Sequence, residues 1–237
     1  MPPFGQRFVN IGRYAYDIKL RDFFTVNTEP DLNVFGCTEH QSFPLITIFG
    51  REPNNDMETI HAIGRYADGA RNGKRWPPVS FWDKSYGLLG RYVGLAASEL
   101  KMKSIERDSS PIVISDFSPL SLDGRYTSQQ KIKIRKTIPV REINEHVNRV
   151  LTHDSIFSRT NLVILSGLER CGFHEDAVRH IEDELDNLKT PWCHVTSLSS
   201  RTTSHAKRQE ELVDFKPIIS EVMNEFLNFE IISSKSA

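Results

Sequence analysis

The chain has 237 residues, 38% apolar and 26% charged, an ordinary composition for a globular protein, and no linker-like stretch divides it. Lys and Arg number 30 against 31 Asp and Glu, which excludes an overall basic footprint for nucleic acid and leaves only local patches. The cysteines, Cys37, Cys171 and Cys193, are far apart and odd in number, which fits a reducing cytosol and argues against a disulfide framework, a zinc site or an iron–sulfur cluster. The first ten residues lack an apolar stretch of signal-peptide length, and no run reaches the ~18 residues that span a bilayer. A cytoplasmic protein, without membrane contact or an obligatory protein partner, is expected.

Residues 1–43 read as a peripheral segment. A continuous apolar run, Leu45–Phe49, then predicts a strand covered on both faces. Met57, Ile60, Ile63 and Ala67 form a helical stripe, followed by a peripheral Gly- and Arg-rich loop, Gly69–Pro78. Leu88, Leu89, Tyr92, Val93 and Ala96 form the next stripe, and Pro111–Ser115 the second strand. The basic segment QQKIKIRK, 129–136, alternates in a strand-like way, although charge runs of this kind are usually solvated faces. Ile143, Val147, Val150 and Leu151 return to helical spacing before a third strand, Asn161–Ser166. Val178, Ile181, Leu185 and Leu188 repeat that spacing before a fourth, Trp192–Thr196. A last helix, about 210–228, carries Leu212, Phe215, Ile219, Val222 and Phe226, with its start obscured by Pro217.

Alternating strands and helices predict an α/β fold: a parallel sheet with helices on both faces, in a single domain over 1–237 with its core at about 44–201. Ligands bind such sheets beyond the carboxyl ends of the strands. That rule selects the loops Gly50–Asn55, Asp116–Leu122, Gly167–Cys171 and His194–Arg201. Glu52 leaves the first strand, Asp116 the second, and His194 lies in the last. Two carboxylates and an imidazole at one sheet edge suit acid–base work, whereas singly each also fits a turn or core role. The last loop, HVTSLSSRTTSHAKR at 194–208, adds hydroxyls with Arg201, Lys207 and Arg208, the groups that grip phosphates. Leu198, an apolar residue in that polar run, is either a small packing contact or a wedge for a base stack. No P-loop, GxSxG, HExxH or strand-linked GxGxxG is present.

These pieces resemble the uracil-DNA glycosylase superfamily. Its first motif, G-x-D-P-Y-H, corresponds to Gly50-Arg51-Glu52-Pro53-Asn54-Asn55 after the first core strand. Its late motif, H-P-S-P-L-S, corresponds to His194-Val195-Thr196-Ser197-Leu198-Ser199, without either proline. The resemblance covers roughly 44–201. It implies a three-layer α/β/α domain with a central four-stranded, mainly parallel sheet, needing no cofactor or metal, whose partner is DNA carrying a flipped nucleotide. On that resemblance Glu52 is the acid that orients water and stabilises a cationic sugar, and His194 hydrogen-bonds the departing base. Gly50 and Pro53 hold the first loop, and Phe81 or Trp82 stacks on the flipped base. Leu198 is the wedge, with Ser197, Ser199 and Arg201 gripping DNA.

Two departures from the family pattern point to the base. A strand that ends in a base-reading Asn in the family ends here at Asp116, whose carboxylate only accepts hydrogen bonds and so suits the N4 amino group of cytosine. Asn54 replaces a tyrosine that blocks substituents on carbon 5. Together they imply a monofunctional glycosylase for a 5-substituted cytosine, such as hydroxymethylcytosine or its glucosylated form in phage DNA. The alternatives are a repair glycosylase for uracil or another deaminated base, a non-catalytic nucleic-acid-binding protein on the same fold, and an unrelated α/β hydrolase-like or nucleotide-binding enzyme.

Overall fold

The computed structural model describes residues 44–51, 80–106, 110–118, 127–136, 138–152, 157–169, 172–198 and 204–228. Four strands lie among them: β1 (Leu45–Gly50), β2 (Ile112–Asp116), β3 (Thr160–Ser166) and β4 (Trp192–Val195). Every residue of β1 is buried, the outcome required when a strand of Leu, Ile and Phe is covered on both faces. The strands form one sheet in the order β2-β1-β3-β4, and each neighbouring pair is parallel. Phe49 stands beside Ser115 on one side and Leu165 on the other, and Leu165 stands beside His194.

Seven helices among the described residues cover the two faces, giving the three-layer α/β/α architecture. They are α1 (Ser80–Gly90), α2 (Ala97–Glu106), α3 (Ser128–Arg135), α4 (Val140–Leu151), α5 (Glu175–Asn187), α6 (His205–Glu211) and α7 (Lys216–Asn228). Helix α7 packs on β1 and β3 through Ile219, Val222, Met223 and Phe226, and α1 and α6 lie in the same layer. Helices α4 and α5 pack together on the other side. The alternation of β4 separates the layers: Cys193 faces Glu211 of α6, while Trp192 and His194 reach Asp186 and Glu182 of α5. Inside the core, the Tyr86 hydroxyl meets Ser110 Oγ at 2.8 Å and burial pushes its pKa up to about 12.

Local chemistry explains the elements, including two that differ from expectation. QQKIKIRK is not a strand but most of α3. Its start is a capping box: Gln130 N–H donates to Thr127 Oγ1 at 3.3 Å, and Thr127 N–H donates to Gln130 Oε1 at 2.8 Å. The last helix is split into α6, a 3-10 turn at Val213–Phe215, and α7. Helix α6 starts where Ser204 Oγ accepts from Lys207 N–H, and Pro217 sits in the first turn of α7, where its missing N–H costs little. The Met57–Ala67 stripe lies outside the described residues.

Candidate functional site

The chain runs from β1 outward to β2, then returns to the other side of β1 for β3 and continues to β4. The order therefore reverses between β1 and β3, the position where sheets of this kind bind ligands beyond the carboxyl ends of the strands. Gly50 and Arg51 leave β1 there, and Ser166, Gly167 and Leu168 leave β3. The loop after β1 is joined to the loop after β2. Phe117 N–H donates to Gly50 O and Ser118 N–H to Arg51 O, each at 2.9 Å, so the two chains leave the sheet side by side.

Asp116 is the register neighbour of Gly50, half-buried at the root of the first-motif loop. Its carbonyl accepts a hydrogen bond from His146 Nε2 at 2.9 Å. His146 is wholly buried on α4, and desolvation lowers its pKa to about 4, with the Asp116 hydrogen bond opposing the shift. The ring is thus neutral near pH 7, with its proton on Nε2, and buried Nδ1 has no partner among the described residues. Next along, Phe117 meets Phe173 edge-on, with centroids 5.0 Å apart, and the Arg135 guanidinium lies 5.7 Å from the Phe173 centroid.

The loop after β4 is fastened from three sides. Leu198 N–H donates to Ser166 Oγ at 2.9 Å. Arg208 of α6, only 1% exposed, donates to Ser197 O at 2.9 Å and Thr196 O at 3.4 Å. Glu211, one turn further, accepts from Thr196 N–H at 2.8 Å and from its hydroxyl. Burial lowers the pKa of Arg208, and Glu211 works in the opposite direction. Gly167 adopts φ +70, and a Cβ there would lie 2.5 Å from the Ser197 Cβ, so only glycine lets the β3 and β4 loops close together.

Several expected roles change on this geometry. Leu198 is 0% exposed and belongs to the core, so it is not a surface wedge; its apolar side chain turns inward while its amide is satisfied by Ser166. Arg208 is not a phosphate grip, because its guanidinium is used up inside the fold holding carbonyls. Ser197 is half-buried and its carbonyl is taken by Arg208. Asp116 and His194 both lie at the carboxyl edge but on the outermost strands, roughly 14 Å apart along the sheet from three strand spacings. The pair does not converge.

His194 points to α5. Its Nε2 lies 2.7 Å from Glu182 Oε1, with the two side chains 19% and 29% exposed, and its ring packs edge-on against Trp192 at 5.6 Å. A carboxylate only accepts, so Nε2 carries the proton. Nδ1 is buried without a partner among the described residues. Cys193, the neighbour on the opposite face, has its pKa pushed up to about 12 by burial first and Glu211 second, which makes it a poor nucleophile.

Glu52, Pro53, Asn54, Ser199 and Arg201 lie outside the described residues, as do the side chains of Phe81 and Trp82 in the first turn of α1. His146, Glu182 and Glu211 escaped the sequence reading. His146 was legible as a histidine inside the Ile143–Val150 stripe, whereas Glu182 and Glu211 become partners only through strand-to-helix packing. No cluster of His, Cys, Asp and Glu able to hold a metal occurs among the described residues, and none of their helices is long and apolar enough to cross a membrane. No family model, curated protein or solved structure matches the chain.

Proposed function

We propose that the chain is a monofunctional DNA N-glycosylase that excises a flipped 5-substituted cytosine, hydroxymethylcytosine or its glucosylated form in phage DNA, and leaves an abasic site. The observation that supports this most is the neighbourhood of Gly50. The first-motif loop starts where the strand order reverses between β1 and β3, with Asp116 beside its root and the late-motif loop closed onto Gly167 at the end of β3. Breaking the N-glycosidic bond builds positive charge on the sugar and negative charge on the base. Glu52 is the residue assigned to the first charge. The Asp116 carboxylate accepts from the N4 amino group that distinguishes cytosine from uracil. A base must leave the stack to be reached, at an unstacking cost that is least for single-stranded or weakly paired substrate.

His194 fits as the group facing the departing base only after release from Glu182, since the ring spends its Nε2 hydrogen on that carboxylate. That restraint, with Leu198 in the core, favours one other reading: a nucleic-acid-binding protein that uses the same sheet edge without catalysis.

Purified protein incubated with oligonucleotides containing uracil, cytosine, hydroxymethylcytosine or glucosyl-hydroxymethylcytosine, followed by alkali, separates these readings. Strand breaks confined to the modified cytosines are expected, with Glu52→Gln losing at least ~10²-fold in rate. Asp116→Asn should move preference toward uracil. Binding without cleavage on every substrate leaves the non-catalytic reading; cleavage of uracil alone overturns the modified-cytosine assignment.

A further inference from the structure

The chain is neutral overall, yet residues 124–141 hold Arg125, Lys131, Lys133, Arg135, Lys136 and Arg141 with no Asp or Glu among them. Helix α3 lies within this stretch, and two contacts pin it to the carboxyl edge of the sheet. Gly172, in the loop after β3, adopts φ +92, and a Cβ there would lie 2.9 Å from both the Cα and the carbonyl oxygen of Ile132. The Arg135 guanidinium, only 3% exposed, lies over the ring of Phe173, which in turn meets Phe117 directly after β2. The helix is therefore held beside Asp116, the last residue of β2.

Ile132 and Arg135, three residues apart, form the packed side of α3. Gln129, Lys133 and Lys136 follow the i, i+4, i+7 spacing of one helix face, and all three are exposed. Neither lysine ammonium has a hydrogen bond or ion pair among the described residues, whereas Arg141 pairs with Glu145 at 2.7 Å. A charged face that is merely solvated usually mixes signs or pairs them along the helix. This face does neither. Unopposed cations on a firmly docked helix set up a local positive field that draws a polyanion. The face also lacks the apolar stripe by which an amphipathic helix enters a bilayer interface, since Ile132 rests on Gly172.

We propose that the Gln129–Lys133–Lys136 face of α3 is a docking track for the phosphodiester backbone of a nucleic acid. The lysines neutralise phosphates without reading sequence, and Gln129 adds an amide hydrogen bond. The proposal rests on the reading of the chain as a protein that acts on DNA, and it supplies the backbone grip that Arg208 does not, since that guanidinium holds the carbonyls of Thr196 and Ser197.

The test is fluorescence anisotropy of the full chain with a labelled single-stranded oligonucleotide over a series of salt concentrations. Lys133→Gln and Lys136→Gln should each weaken binding several-fold at low salt, equally for every sequence. Each should also make the slope of log affinity against log salt shallower by about 0.7, the loss of one phosphate contact on a single strand. The double variant adds the two losses. Lys189→Gln, exposed just before β4 at the opposite edge of the sheet, should bind like the parent. Lys133 and Lys136 are exposed and Gln sustains a helix, so the α3 variants fold, which circular dichroism checks. The proposal is overturned if the parent does not bind, if the double variant keeps the parent affinity and slope, or if Lys189→Gln loses as much. Binding to anionic lipid vesicles in place of the oligonucleotide overturns it too and makes the face a membrane contact. The two readings fail separately. Parent-like binding by a double variant that still excises a base removes the track alone, whereas α3-dependent binding without excision of any base removes the glycosylase alone.

Discussion

Glu182 on α5 accepts the Nε2 hydrogen of His194 on β4 at 2.7 Å, tying the first residue of the late motif to a helix on one face of the sheet. The bond fixes the tautomer of the ring and holds it against Trp192. If His194 acts on a ligand once released from Glu182, His194→Ala lowers excision by the proposed glycosylase roughly 10²-fold, whereas Glu182→Ala does not lower it. Nitrogen shifts should show the proton on Nε2 in the parent protein and lose that signature in Glu182→Ala. Equal activity in both variants, with only stability changed, would mean that the pair is an element of the fold and nothing more.

Leu198→Ala removes a fully buried side chain that sits beside two polar loops. The expected loss is about 3 kcal/mol of folding stability, the usual range for a buried leucine whose surroundings relax only partly. Urea unfolding measures it. On the proposed glycosylase reading, excision from duplex and single-stranded DNA should fall together, because the residue is not on the surface; a loss confined to duplex would restore the wedge.

Gly167→Ala forces a Cβ to within 2.5 Å of the Ser197 Cβ and 2.8 Å of its Cα, at a backbone angle of φ +70. The left-handed conformation alone costs roughly 1–2 kcal/mol, and overpacking adds to it. Ser197→Gly should recover part of the overpacking, giving a favourable coupling in a double-mutant cycle. Strict additivity would show that the loops relax apart without cost.

The pH dependence follows from His146. Its pKa is lowered to about 4 by burial, against an ordinary 6.5, so the folded protein keeps the ring neutral where the unfolded chain protonates it. The stabilisation is complete above the unfolded value and is lost as pH falls from about 6.5 toward 4, with the folding equilibrium weakening about ten-fold per pH unit over that window. The lowered pKa of His205 acts in the same direction. Urea midpoints across that range should flatten in His146→Gln, which retains a donor for the Asp116 carbonyl. An unchanged slope in the variant would remove His146 as the cause.

The sheet was legible because its strands are continuous apolar runs, and Leu45–Gly50 extends the expected strand by only one residue. Helix α3 was not, because Ile132 and Ile134 alternate with Lys133 and imitate period two, while the decisive signal was the Thr127–Gln130 capping box just before them. Leu198 was misread for a related reason. Its neighbours in sequence are polar, and what buries it, including Ser166 on β3, lies far away along the chain. His194 was correctly located on the last strand, but the face it occupies depends on the phase of β4 and on the partner that α5 brings to it. Local pattern carries the elements; strand phase and helix packing decide which side chains meet.

The hydrogen bonds from Phe117 and Ser118 to Gly50 and Arg51 make the first-motif loop observable from a different part of the chain. Any opening that peels Arg51 away from its neighbour must first uncover the amides of Phe117 and Ser118. Their rates of hydrogen–deuterium exchange therefore track how firmly the segment carrying Glu52 is anchored, and slowing of those two amides when DNA is added would register a ligand at this edge of the sheet with no chemistry taking place.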